Sequence, residues 1–428
     1  MVQTTRRLLG SSAPTQSPHS LQGLGDDIPD SLLRKLCASC HLGQPKNHHN
    51  LDVVRDRGGG CLACHINAYR AGAHPELTVR VEDGRCFGCH SRSGRISLSY
   101  PGLAEAGADG EPSGERLRLP DGRLLERKPS DVHHRAGMAC IDCHTGPGLM
   151  GLASPRHETD IACRDCHANR QGRITPATWP ERFRSMLPRV PFAAGPDQPF
   201  LTTEDGTPLW HIQLRPDGAF LHSKLGHHTL RIPPMSPERH PAGPPHQRLG
   251  CQACHAQWAP QCYGCHLGYE SGEPQWDHSE RAVTPGRWHE RRWAIRNGPP
   301  PLGLTSGGEI SPVVPGMILT LEHPDLAEPL FLRRFAALAP HTTGPGRGCR
   351  ECHRSPVAVG LGTGELTVGG GDIAHVPSQG PLRDGLAADA WTTLEAPLIA
   401  TPREGDPRPF SPEEIRRILS TPLPTPDG

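Results

Sequence analysis

Aromatic side chains make up only 4% of this 428-residue chain, too few for the broad aromatic core that a protein of this length could otherwise bury. No stretch approaches the ~20 consecutive apolar residues of a membrane span, which excludes a transmembrane helix on sequence grounds. The N-terminal "LLGSSAPTQSPHS" lacks the apolar run of a secretory signal, although Arg6 and Arg7 precede it. Formal net charge is zero, with 45 residues of each sign, which gives no reason to expect nucleic acid or an acidic membrane surface as a partner. Lysine is nearly missing: only Lys35, Lys46, Lys128 and Lys224 occur. No cysteine lies outside one repeated pattern, so none remains for a structural disulfide or a nucleophilic thiol, and cysteine catalysis is excluded.

The pattern is Cys-x-x-Cys-His, and it occurs eight times. Motif 1 is Cys37, Cys40 and His41; motif 2 is Cys61, Cys64 and His65; motif 3 is Cys86, Cys89 and His90. Motif 4 is Cys140, Cys143 and His144; motif 5 is Cys163, Cys166 and His167; motif 6 is Cys251, Cys254 and His255. Motif 7 is Cys262, Cys265 and His266, and motif 8 is Cys349, Cys352 and His353. At this histidine content a His follows a given Cys with a chance of about 6%, so eight of eight by accident is on the order of 10⁻¹⁰. Zinc explains paired cysteines but not a histidine after every second one. Covalent haem explains all three positions: two thiols on one backbone turn add to the two vinyl groups of a porphyrin edge, and the histidine ligates the iron. The expected cofactor is therefore haem c, eight times, covalently attached. Motifs 6 and 7, in "CQACHAQWAPQCYGCH", are too close for a separate fold between them, so their two cofactors are expected to lie almost against each other.

Eight haems in this length leave about 53 residues each, so porphyrin is expected to supply much of the core. Glycine (49) and proline (48) are abundant, and the expected fold class is mostly irregular chain with short α-helices and small β-hairpins, wrapped around eight covalent haems. Motif spacing divides the chain into a flexible N-terminal segment (1–30), a five-haem region (31–175), a haem-free β-rich insertion (176–240), a three-haem region (241–360) and a C-terminal extension with a short helix (361–428). The insertion reads as a β-meander, with Asp205-Gly206 and Asp217-Gly218 as turns and Trp210, Ile212 and Leu214 on one face. A second Asp-Gly hairpin is expected in "RLRLPDGRLLER", residues 116–127. Helices are predicted at the motifs, in "PLFLRRFAAL" near residue 335, and in "SPEEIRRILS", where Ser411 and Glu414 form a capping box and Pro412 takes the first helical position. The ends, 1–28 and 419–428, read as mobile tails.

Eighteen histidines lie outside the motifs, enough to give every iron a second imidazole. Those five to eight residues before a motif are favoured, because the chain must pass one haem just before it binds the next. This selects His133 or His134, His157, His246 and His341. Further candidates are His48 or His49, His74, His227 or His228, and His278. Arg92 and Arg95 stand where they could pair with haem propionates.

Eight such units in one chain resemble the bacterial multihaem c-type cytochromes, and "CFGCHSRSGRISLSY", "DVHHRAGMACIDCH" and "CQACHAQWAPQCYGCH" are similar to stretches of octahaem members. The likeness extends from about residue 37 to residue 353. It implies attachment outside the cytoplasmic membrane, hence a periplasmic, cell-surface or extracellular location with an export leader not visible in this chain. It also implies redox partner proteins, among them other multihaem cytochromes or further copies of the chain. Members of this class include pure electron conduits, some assembled into extracellular filaments, and enzymes such as hydroxylamine oxidoreductase and octahaem tetrathionate reductase. The active haem of the catalytic members lacks a distal histidine or takes a lysine. No CxxCK occurs here, Lys224 and Lys46 are the lysines to consider, and no cross-linking tyrosine can be located among Tyr69, Tyr100, Tyr263 and Tyr269. The leading expectation is electron relay through bis-histidine haems, without chemistry on a bound substrate. The rival is an octahaem oxidoreductase with one open or lysine-ligated haem, acting on a small nitrogen or sulfur compound.

Overall fold

The computed structural model describes residues 23–39, 61–68, 76–91, 96–106, 116–119, 122–149, 161–168, 173–236, 240, 246–262, 265–292, 295–337, 339–369, 372–395 and 407–423. Cys40, His41, Lys46, His48, His49, Tyr69, His74, Arg92, Arg95, His157 and Tyr263 lie outside the described residues. The described chain is mixed helix and strand, and its sheets form no closed barrel.

Helix α1 spans Ile28–Lys35. Asp27 caps it by accepting from the Asp30 amide at 3.0 Å, and Pro29 sits in the first turn, where its missing N–H costs nothing. Leu24, Pro29 and Asp30 are buried, within the 1–30 stretch expected to be flexible. Lys35 is buried too, its Nζ donating to the carbonyls of Pro285 and Gly286 at 2.5 and 2.7 Å.

Motifs 2, 3, 4, 5, 6 and 8 form helical turns, at Cys61–His65, Gly84–His90, Cys140–Cys143, Cys163–His167, Cys251–His255 and Cys349–His353. In motifs 4, 5 and 8 the residue before the second cysteine is acidic. Asp142, Asp165 and Glu351 reach back to accept from the amides of Ala139, Ala162 and Gly348, at 2.9, 2.7 and 2.6 Å. One-turn helices have no propagation to support them, so this local cap helps hold each turn shut. Motif 7 differs from the expectation of a helix: Cys262 ends one strand and Cys265 begins the next.

Strands β1 (Leu103–Glu105), β2 (Arg116–Arg118) and β3 (Leu124–Arg127) form an antiparallel sheet in the order β1–β3–β2, so the expected hairpin over 116–127 is present. The four-residue helix α2 (Val132–Arg135) follows, capped by Asp131. In the insertion, β4 (Ile212–Arg215), β5 (Gly218–His222) and β6 (Thr229–Ile232) make the meander, with Gly218 at φ +143° in the tight β4–β5 turn. Ile212 and Leu221 pack with Leu201 and Leu209 in a core that extends to Met138 and Cys166.

The largest sheet is formed by β8 (Cys265–Asp277), β9 (Ala282–Arg292), β11 (Leu302–Leu304), β12 (Ile310–Glu322) and β13 (Leu330–Ala337), while β7 (Ala259–Cys262) pairs separately with β10 (Ile295–Gly298). The order is β9–β8–β12–β11, with β13 also on β12; β8 and β12 run parallel and the other pairs antiparallel. Two of these strands are 13 residues long, so this region carries far more sheet than the small hairpins expected. Leu267, Trp288 and Leu321 bury one face against Leu32 of α1. The helix predicted near residue 335 is strand β13: Leu332 pairs with Leu319 and Leu330 with Leu321, so ladder bonds replace the helical bonds that the apolar run could also have made. The fully buried Arg333 guanidinium pins this strand, forming a two-point ion pair with Asp384 and donating to the carbonyls of Leu386, Ala387, Ala388 and Ala390.

Beyond motif 8, β14 (Gly364–Gly369) and β15 (Asp372–Pro377) form a hairpin, and helix α3 spans Pro412–Ser420 with the Ser411–Glu414 capping box in place. Leu419, assigned by composition to a tail, is buried in a core with Ile415, Leu304 and Ala253. No described helix is long and apolar enough to cross a membrane.

Candidate functional site

Four of the described motif histidines are oriented by backbone carbonyls. The Nδ1 of His65, His167, His255 and His353 lies 2.8, 2.8, 2.8 and 2.7 Å from the carbonyl oxygens of Thr78, Pro233, Gly344 and Ile418. A carbonyl oxygen only accepts, so each Nδ1 carries the proton and each Nε2 presents a lone pair, the form an imidazole takes as a metal ligand. The acceptors come from distant elements: Pro233 follows the meander, Gly344 lies in the loop before motif 8, and Ile418 is in α3. Desolvation in this setting lowers the His167 pKa below its ordinary value, which favours the neutral ring.

Four motif histidines face a second imidazole. His167 stands opposite His133 with ring centroids 6.0 Å apart, His144 opposite His341 at 6.0 Å, His255 opposite His240 at 6.0 Å, and His353 opposite His246 at 6.3 Å. Three of these second rings are also held through Nδ1: His133 on Asp131 Oδ1 at 2.8 Å, His341 on Ala339 O at 2.8 Å and His240 on Ser236 O at 2.9 Å. Two imidazoles sharing one axial metal, each with Nε2 about 2 Å from it, have centroids about 6 Å apart. The residues therefore fit a haem iron with two axial histidines beside a pair of thiols. Among the described residues no three His, Cys, Asp or Glu side chains converge as a bare metal ion would need, whereas iron in a porphyrin asks the protein for two axial nitrogens only.

The motifs also lie against one another. The thiols of Cys86 and Cys140, the first cysteines of motifs 3 and 4, are in hydrogen-bond contact, and Asp83 beside motif 3 accepts from the Cys140 amide at 2.8 Å. Cys163 and Cys251, the first cysteines of motifs 5 and 6, touch in the same way. The Arg347 side chain contacts Cys352 of motif 8 and lies beside Cys254 of motif 6. Motifs 4 and 5 both pack on the meander region: the Asp142 carboxylate accepts from the Lys224 amide at 2.8 Å and the Ser223 hydroxyl at 3.2 Å, the Asp142 carbonyl lies 3.0 Å from His211 Nε2, and Cys166 of motif 5 packs against the meander core. Motifs 3, 4, 5, 6 and 8 thus form a contiguous series.

Of the two readings for the segment before motif 4, His133 meets a motif ring, while His134 packs edge-on against Tyr100 at 5.2 Å. His246 and His341, chosen by the same spacing argument, also face motif rings. Each of the three serves a motif other than the one it precedes. His228 lies against Gly137, where a Cβ would come within 2.9 Å of its Nε2, and His227 faces Arg80 at 2.9 Å. His278 sits in the β8–β9 turn, its amide donating to Arg34 O at 3.2 Å. Lys224 Nζ donates to the Ile141 carbonyl inside motif 4 at 2.5 Å and lies over the Trp210 ring. His266 contacts the Thr320 hydroxyl across the parallel β8–β12 pair. Sequence reasoning missed His240, eleven residues before motif 6 and so outside the spacing window, and Asp131, whose signal was its place two residues before a favoured histidine.

Comparison of the chain with protein-family models, with curated proteins and with solved structures finds no match.

Proposed function

We propose that this chain is an octahaem c-type cytochrome that relays electrons between redox partner proteins outside the cytoplasm, through closely spaced haems with two axial histidines. The observation that carries the reading is the set of four facing imidazole pairs, each 6.0–6.3 Å between centroids and each including a motif histidine. Haem c, when bound, supplies a reversible Fe(III)/Fe(II) couple at each motif. The chain's own part is to bind and orient. Paired thiols would hold the porphyrin, carbonyls keep the proton on Nδ1 of the motif imidazoles, and a second imidazole at these four sites would compete with a small substrate for the iron. The thiol contacts between motifs 3 and 4 and between motifs 5 and 6 support short distances for electron exchange, with Arg347 bridging motif 6 to motif 8.

Denaturing mass spectrometry of protein matured with a complete haem-attachment system should find eight haems. EPR of the oxidised protein should find low-spin iron only, and His246→Ala should convert one iron toward high spin while leaving attachment intact. Bound zinc, inter-motif disulfides, or clearly fewer than eight haems would overturn the reading. Saturable turnover of nitrite, hydroxylamine or tetrathionate, blocked by cyanide at a single haem, would replace relay by catalysis.

A further inference from the structure

Asp131 is 2% exposed and its two carboxylate oxygens point in different directions. Oδ1 accepts from the His133 amide and from His133 Nδ1, both at 2.8 Å. Oδ2 accepts from the Thr343 amide at 2.6 Å, and the Val132 amide returns a bond to Thr343 O at 2.9 Å. Thr343 belongs to a short loop that carries His341, which faces the ring of motif 4, and Gly344, whose carbonyl receives Nδ1 of motif 6. His341 adopts φ +55°, a left-handed conformation that a non-glycine residue keeps only when its surroundings enforce it. The enforcing contacts are nearby. The Ser99 hydroxyl donates to Pro340 O at 2.7 Å, the Gln257 amide to Thr342 O at 3.1 Å, and Asp131 closes the loop at Thr343.

We propose that Asp131 is a positioning residue shared by two neighbouring iron sites. It orients and polarises His133 toward motif 5, and through Thr343 it holds the loop that presents His341 to motif 4. The inference rests on the haem reading above. A carboxylate accepting from Nδ1–H makes an imidazole a stronger donor than a carbonyl does, which favours Fe(III) and lowers the potential of that haem. The other facing rings with a resolved Nδ1 partner, His341 and His240, rest on neutral carbonyls, so the motif 5 iron is singled out.

The test uses the fully loaded protein, with Asp131→Asn and Asp131→Ser as variants. Serine keeps an acceptor for the His133 amide, as an N-cap should, but removes the charge from Nδ1 and the contact to Thr343. Haem counting by mass spectrometry comes first: fewer haems already in the unmutated protein speaks against the cytochrome reading, not against Asp131. With eight haems present in both variants, spectroelectrochemical titration should find one midpoint potential raised, and EPR should find altered g-values at up to two low-spin irons. If potentials and g-values of both variants match the parent, Asp131 is a helix cap only and the proposal is overturned. A serine variant that matches the parent while asparagine does not would overturn it equally, since capping would then suffice. Should both variants fail to accumulate, Asp131→Glu must retain the low potential for the proposal to survive.

Discussion

The five-stranded sheet and the motif 4–5 region are built on different principles. Strands β8, β9, β12 and β13 satisfy their own backbone through long ladders and bury Leu267, Trp288 and Leu321 against α1, so this region resembles the core of an ordinary globular protein. The motif 4–5 region has one-turn helices, a small meander, and facing imidazoles held about 6 Å apart by hydrogen bonds to carbonyls and to Asp131. The difference teaches that the first region is held by strand ladders and apolar packing, and the second by hydrogen bonds that position individual side chains.

The strongest way to break the comparison is to withhold the cofactor proposed for motif 4. The double substitution Cys140→Ala/Cys143→Ala should lower the haem count by one and abolish amide protection over residues 131–149, 161–168 and 206–236. Strands β8, β9 and β12 should keep theirs; hydrogen exchange read by mass spectrometry decides, and loss of protection throughout the chain would mean that the two regions fold as one unit.

The first region should instead fail from within. Arg333→Ala leaves Asp384 unpaired and strips four buried carbonyls of their donor, so a loss of about 3–5 kcal/mol is expected in denaturant unfolding. The haem spectrum of the folded fraction should be unchanged. A spectral change with little loss of stability would show that this sheet also tunes the irons.

The smallest effect sharpens the boundary between the two. Helix α3 belongs to a protein-packed core through Ile415 and Leu419, yet its Ile418 carbonyl seats His353 of motif 8. Ser411→Ala should cost about 1 kcal/mol and raise exchange in α3. The ion pair with Arg408 holds the Glu414 pKa below its ordinary value despite partial burial. A carboxylate depressed in the folded state stabilises above its unfolded pKa and loses that contribution as pH falls through the folded pKa. Protection of α3 should therefore weaken on acidification through the lower end of the glutamate range, and Glu414→Gln should flatten that dependence.

Legibility followed locality. The Ser411–Glu414 box, the 116–127 hairpin and the Asp217-Gly218 turn of the meander were readable because a few neighbouring residues determine each of them. The segment 330–337 was misread because its apolar run suits a helix as well as a strand, and the deciding bonds come from β12. His133, His246 and His341 were found by a rule about chain path, but none faces the motif it precedes, and His240 lies beyond the rule's reach.

By itself the sequence determined eight thiol pairs, each with a histidine beside it, since that chemistry is confined to five consecutive residues. It also determined a surplus of imidazoles and the caps that close three of the motif turns. Tertiary structure alone decided which imidazole lies beside which motif ring, which motifs touch, and that Asp131 binds both His133 and Thr343. Those relations join residues as far apart as Asp131 and Thr343, and only the folded backbone sets the distance between groups so remote along the chain.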